Sequence, residues 1–237
     1  DYNKSCGIAS ADISTGEAYL STFQGKDLET DVINELSRCQ PSEIIFTESF
    51  LSLKNVSDFI KLRLKCVVTL RDNNCFSPEI KLNEVEKVLG KTAGDLGINA
   101  HGAGCSAICG LFDYINDTQK TSVSRFTSIE GLKCDSFMGL DLKARRNLEL
   151  TETLRNKERK GSLLWVLDSA KTSMGRRLLK NWIEQPLKSP ARIIERLDAV
   201  DALRRKSVVL YEIQALLEQV YDLERLMTKV MYKRANP

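Results

Sequence analysis

The chain has 237 residues, 42% hydrophobic and 28% charged, enough for one large domain or two ordinary ones with real cores. Those proportions exclude a disordered segment, and no apolar run approaches the roughly 20 residues a membrane helix needs. The net charge of +3 hides an asymmetry: residues 1–139 carry 14 Lys and Arg against 19 Asp and Glu, residues 140–237 carry 21 against 13. A basic second half is compatible with nucleic acid nearby, but basic residues spread along helices read first as solvated faces.

Seven cysteines are an odd, scattered set without a C-x-x-C pair, and His101 is the single histidine. Cys105 and Cys109 lie one helical turn apart, but a zinc site needs closely spaced thiolate or imidazole pairs that this sequence does not offer. Reduced thiols in a cytoplasmic protein are the expectation. The opening DYNKSCGIAS has no charged-then-apolar signal pattern. A start almost directly in a strand and a stop at RANP suggest a fragment of a longer protein.

Cys6–Asp12 and Ala18–Phe23 alternate, with Ser14-Thr15-Gly16-Glu17 between them, which predicts a hairpin. Val32, Ile33 and Leu36 give Leu28–Cys39 a helical face that Pro41 ends. Glu43–Thr47 reads as a short strand buried on both faces. A helix over Phe50–Leu62 and a strand over Lys65–Leu70 follow, so the first half predicts a mixed sheet with helices against it. Asn73, Asn74, Ser77 and Pro78 break the pattern, and Val85–Leu89 is too short to assign. After the glycines at 94, 97, 102 and 104, Ala107, Ile108, Leu111, Phe112 and Ile115 mark another helix. Polar sequence from Asp117 to Ser124 places a domain boundary at residues 122/123.

Several catalytic readings are testable on these residues. Asp12, Glu35 and Asp95 could be imagined as a metal-binding carboxylate set, but Asp12 before Ser-Thr-Gly is better explained as a turn residue. Phosphate loops of the forms GxGxxG and GxxxxGK[ST] are absent. Gly102-Ala103-Gly104-Cys105 reads as a plain loop-to-helix turn rather than an anion cradle, and His101 as a polar loop residue. No serine or cysteine has a recognisable base partner.

In the second half a strand-like stretch after Phe126 leads to Met138. Asp141 is placed to cap a helix over LKARRNLEL. Ser162 and Asp168 flank LLWVL, an apolar run that calls for burial. Arg155–Gly161 is a charged turn. From Met174 the apolar residues Leu178, Leu179, Trp182, Ile183 and Leu187 form one face. Three further stripes (Ile193, Leu197, Val200, Leu203; Leu210, Ile213, Leu216, Leu217, Val220; Leu223, Leu226, Met227, Val230) predict helices packed into a bundle.

The ordered words LDLKARRNLEL, GSLLWVLDSAKTSMGRRLLKNWIEQPL, IIERLDAVDAL and YDLERLMTKV closely resemble the MutS family of DNA mismatch-repair proteins. The resemblance runs from about Ser5 to the last residue and is strongest after Met138. It implies an RNase H-like α/β connector domain over residues 1–122 and the first part of an all-α core, or lever, domain over 123–237. It implies a relay of allosteric signals between ATPase and DNA-binding parts, and a docking surface for MutL. The full-length protein would be a DNA-dependent ATPase using ATP and magnesium, binding mismatched double-stranded DNA as a self-dimer. This segment would carry no cofactor, no catalytic residue and no metal ligand. Asp141, Arg146, Asn147, Glu149 and Arg176 are assigned structural roles at the domain junction. The alternatives are a metal-dependent RNase H-like nuclease and a helical scaffold unrelated to repair.

Overall fold

A computed structural model of the chain describes residues 5–90, 92–95, 99–100, 102–119, 128–131 and 137–231. It divides into two compact units between Leu132 and Lys133. His101 and the linker residues 120–127 lie outside the described residues, as does Gly97.

The first unit begins with the expected hairpin, β1 (Ser5–Asp12) against β2 (Glu17–Gln24) in register Ser5↔Gln24 to Asp12↔Glu17. Its turn closes because the Ser14 amide donates to Asp12 Oδ1 at 2.7 Å and the Gly16 amide to the Asp12 carbonyl at 2.9 Å. Gly16 takes φ +75°, a conformation that costs a glycine little. β5 (Ser128–Gly131) adds to β2 in parallel, giving the order β1-β2-β5. Helix α1 (Leu28–Cys39) leads to β3 (Glu43–Phe46), and α2 (Lys54–Arg63) carries the chain across to β4 (Val67–Leu70), parallel to β3. Leu53 interrupts the helix expected over Phe50–Leu62, leaving a 3₁₀ turn over Glu48–Ser52 before α2.

Residues 77–89 depart from expectation. Pro78 does not break a helix; it opens α3 (Pro78–Leu89), where its missing N–H would have been unpaired anyway. Helix α4 (Ala103–Gln119) is the centre of one core, in which Cys105, Ile108, Cys109, Phe112 and Ile115 pack with Ala18, Leu20 and Val85. On the opposite face Cys6, Phe46, Val56 and Ile60 pack with Leu28, Val32 and Leu36 of α1. Alternation along β1 and β2 accounts for the two cores: Cys6 and Ile8 serve one, Ala9 and Ala11 the other. A Cβ on Gly7 would lie 2.1 Å from the Ala103 carbonyl oxygen, so only glycine lets α4 approach β1 this closely. Burial pushes the Cys109 thiol up to about 12 and those of Cys6 and Cys39 to about 11.

The second unit is helical: α5 (Leu142–Asn147), α6 (Leu163–Leu167), α7 (Ser173–Glu184), α8 (Pro190–Arg205), α9 (Ser207–Leu217) and α10 (Leu223–Met231). Two expectations fail here. Of LLWVL only Leu164 is buried, while Trp165 and Val166 are exposed. The stripes of α8 to α10 do not close into a bundle core: Leu197, Val200, Leu216 and Met227 all face solvent. The periodicity marked apolar faces correctly, but these helices do not cover one another's faces in this chain.

Candidate functional site

The carboxylates expected of a nuclease are not brought together. Asp12 serves its own turn, accepting from the Ser14 amide and from the Ser14 hydroxyl at 2.6 Å. Glu35 sits on α1, where Arg38 donates to both its oxygens, at 2.6 and 2.9 Å, and Ser21 at 3.1 Å. Burial raises the Glu35 carboxyl, but the hydrogen bonds and charge of Arg38 outweigh it and hold the group below its usual range. Asp95 accepts from the amide and hydroxyl of Thr92. Among the described residues no group of three or more His, Cys, Asp or Glu side chains could hold a metal ion. The start of α4 is also occupied: a Cβ on Gly104 would meet Thr22 and Leu20, so the turn packs on the sheet.

The stretch Gly139–Leu187 is built from caps. Asp141 accepts the Ala144 amide at 2.6 Å and starts α5 as its sequence position predicts. The helix stops at Asn147, short of the expected LKARRNLEL, because Glu149 takes φ +47°. That turn sends the Glu149 carboxylate to the Leu154 amide at 2.6 Å and its carbonyl to the Leu163 amide at 2.9 Å. Ser162, fully buried, caps α6 by accepting the Trp165 amide at 3.2 Å and donates to the Arg159 carbonyl at 2.7 Å. Thr172 caps α7 through the Gly175 amide at 3.0 Å. Near the end of the segment the Met138 amide donates to the Pro186 carbonyl, and Phe137 bridges Leu187.

Of the residues singled out in the sequence, Asp141 and Glu149 hold backbone at the two ends of α5. Arg146 and Asn147 lie exposed between them. Arg176 reaches the Ala170 carbonyl at 3.4 Å and lies 3.9 Å from Asp168, which is paired with Arg159.

Two neighbours, which the sequence gave no reason to prefer, make the longer connections. Arg145 donates from Nη2 to the Glu184 carbonyl at 2.9 Å, tying α5 to the end of α7. Arg177 grips both Asp222 oxygens at 2.8 and 2.7 Å and the Glu224 carboxylate at 3.0 Å, fixing the start of α10 against α7. The Arg196 guanidinium stacks 3.7 Å from the centre of the Trp182 ring, joining α8 to the same helix. Helix α7 is therefore a hub on which three other helices are tied. Charge pairing 45 and 47 residues apart leaves no local pattern, so only the fold reveals it.

Hydrogen bonds from Arg177 hold the Asp222 carboxyl down to about 2. A depressed carboxyl stabilises the folded state above its unfolded value of about 4, and the contribution fades as pH falls through about 2. Wild type should therefore exceed Asp222→Asn by a constant stability margin above about pH 4, and the margin should close between there and about pH 2. Denaturant titrations at stepped pH measure it; a margin that persisted unchanged at pH 2 would contradict this.

Comparison with known proteins fits this arrangement of an α/β unit and a helical unit. Residues 1–127 match the family model described as MutS domain II, and residues 143–237 match MutS domain III. The chain is 39% identical over 235 residues to the DNA mismatch repair protein MutS of Acetivibrio thermocellus, covering 97% of the chain and 26% of that protein. Against the protein of the same name from Ruminiclostridium cellulolyticum it is 40% identical, with the same shares, and against that from Clostridium perfringens 37%, covering 98% and 24%. The chain thus spans about a quarter of the length of these relatives. With both family models matched in order along it, the chain belongs to the MutS family and carries its domains II and III.

Proposed function

We propose that the full-length protein is a cytoplasmic DNA mismatch-recognition ATPase, and that this segment transmits signals between its nucleotide site and its DNA-holding parts. The first unit is read as an RNase H-like connector, a reading supported by its opening hairpin and its helices on both faces of the strands. It offers a docking surface for MutL. The second unit is the beginning of the lever. ATP with magnesium, mismatched double-stranded DNA and a second copy of the chain are the ligands and partners expected of the whole protein.

The observation that carries the relay is the tying of α5, α8 and α10 to α7 through Arg145, Trp182 and Arg177. Helices joined by bidentate and stacked contacts move together, which is what a lever requires. The test is a charge swap in the full-length protein. Arg177→Asp should weaken ATP-driven release of mismatched DNA by about 0.5–2 kcal/mol of coupling, roughly 2- to 30-fold. Adding Asp222→Arg should restore part of it. Release kinetics unchanged by the single swap would remove α7 from the relay.

A further inference from the structure

Strand β5 comes from outside the domain whose sheet it extends. The family model for domain II ends at residue 127 and that for domain III begins at residue 143, so Ser128–Gly131 falls between them. It nevertheless lies in the first unit, paired in parallel with Glu17–Leu20 of β2. Its mooring there is slight. Four residues of β2 receive it, whereas all eight pair with β1, and among the described elements only β2 makes extended contact with it. A parallel ladder is slightly weaker per residue than an antiparallel one, and of Ser-Ile-Glu-Gly only the isoleucine favours a strand. The few net hydrogen bonds of such a ladder are nearly offset by the entropy of fixing four residues. β2 does not depend on β5 in return, because Ala18 and Leu20 are buried in the core around α4.

The other end of the same stretch is tied beside the hub helix. Phe137 bridges Leu187, and the Met138 amide donates to the Pro186 carbonyl at 2.7 Å, just beyond the end of α7 at Glu184. Arg145 holds the same point through the Glu184 carbonyl. While β5 is docked, the tether between these two moorings is residues 132–136, with a reach of roughly 17 Å. Release of β5 lengthens the tether to residues 128–136 at least, with a reach of roughly 30 Å. A displacement of α7 therefore loads β5 first, and the short ladder is the part that gives.

We propose that β5 is a releasable latch. Docked on β2, it keeps the first unit on a short tether to the end of α7; a shift of α7 peels it away and frees the first unit to move on a longer one. The proposal rests on the relay reading of α7 and adds the point at which the signal leaves the second unit.

Hydrogen exchange on the full-length protein bound to mismatched DNA tests it, with and without magnesium and a hydrolysis-resistant ATP analogue. Amides of Ser128–Gly131 that face β2 should be protected about 10- to 100-fold in one nucleotide state and exchange at least about tenfold faster in the other, with those of β1 and α4 unchanged. Equal protection in both states would make β5 a permanent strand, and none in either would mean that it does not dock. Both results overturn the latch, as does a loss of protection shared with β1, which would be melting of the sheet. Prolines at both Ile129 and Glu130 remove whichever of the two amides faces β2. This variant should show β5 undocked in both states, the β1–β2 hairpin intact, and ATP-driven release of mismatched DNA slowed roughly 2- to 30-fold. Normal release from it would mean that the tether carries no signal. The latch and the relay fail separately: if Arg177→Asp weakens release while Ser128–Gly131 stays equally protected in both states, the relay stands and the latch falls.

Discussion

Leu179→Pro in the full-length protein should leave nucleotide binding intact and abolish the coupling of that binding to release of mismatched DNA. Leu179 lies in the middle of α7, half-buried, with Arg177 two residues before it and Trp182 three after. Proline removes the amide that would bond the Gly175 carbonyl and its ring collides with that turn, at a cost of about 3 kcal/mol or more. The kink falls between Arg177, which holds α10, and Trp182, which holds α8. The two halves of the hub would then point their helices in different directions. Circular dichroism checks that the protein remains folded, and stopped-flow release from labelled mismatched DNA reads the coupling. If release still followed ATP in a folded variant, the relay would have to run elsewhere.

The second large effect concerns stability of the first unit. Phe112→Ala should destabilise it by about 3–5 kcal/mol. The ring is 2% exposed and packs among Ile108, Ile115, Leu20 and Val85, so its removal opens a cavity that a sheet on one side and α3 on the other prevent from collapsing. Against a typical domain stability of 5–15 kcal/mol that loss is severe. Leu62→Ala, at a side chain 80% exposed, should stay within about 0.5 kcal/mol and serves as the control. Thermal or denaturant unfolding of the pair measures the contrast; equal losses would mean that the α4 core does not carry the unit.

The sequence made some of this legible because the determinants were local. Asp12, Ser14 and Gly16 specify their turn within five residues, and Asp141 caps its helix three residues ahead; Ser162 and Thr172 do the same but were not read as caps. Other determinants were local but ambiguous. Pro78 serves equally as a breaker and as the first residue of a helix, and the polar residues before it favoured the wrong choice. Glu149 ends α5 by adopting a left-handed conformation that nothing in its side chain announces. The remainder was non-local. Arg176 and Arg177 are indistinguishable as letters, yet one brushes Asp168 while the other grips Asp222 and Glu224. The apolar stripes of α8 to α10 announced faces to be covered, but periodicity does not say by what, and among the described residues they remain uncovered.

The buried thiols of the first unit have a practical chemical meaning. A thiol raised to about 12 is ionised in roughly one molecule in 10⁵ at pH 7, and it is the thiolate that attacks alkylating reagents and peroxides. Cys109 is in that condition, Cys6 and Cys39 at about 11 are ionised in roughly one molecule in 10⁴, and the pKa values of Cys66, Cys75 and Cys105 are shifted upward as well. At Cys6, Cys39 and Cys109 the chain thus holds sulfur that is poor in reactive thiolate. A surface cysteine added on α7 or α10 would therefore take up an alkylating fluorophore ahead of Cys6, Cys39 and Cys109.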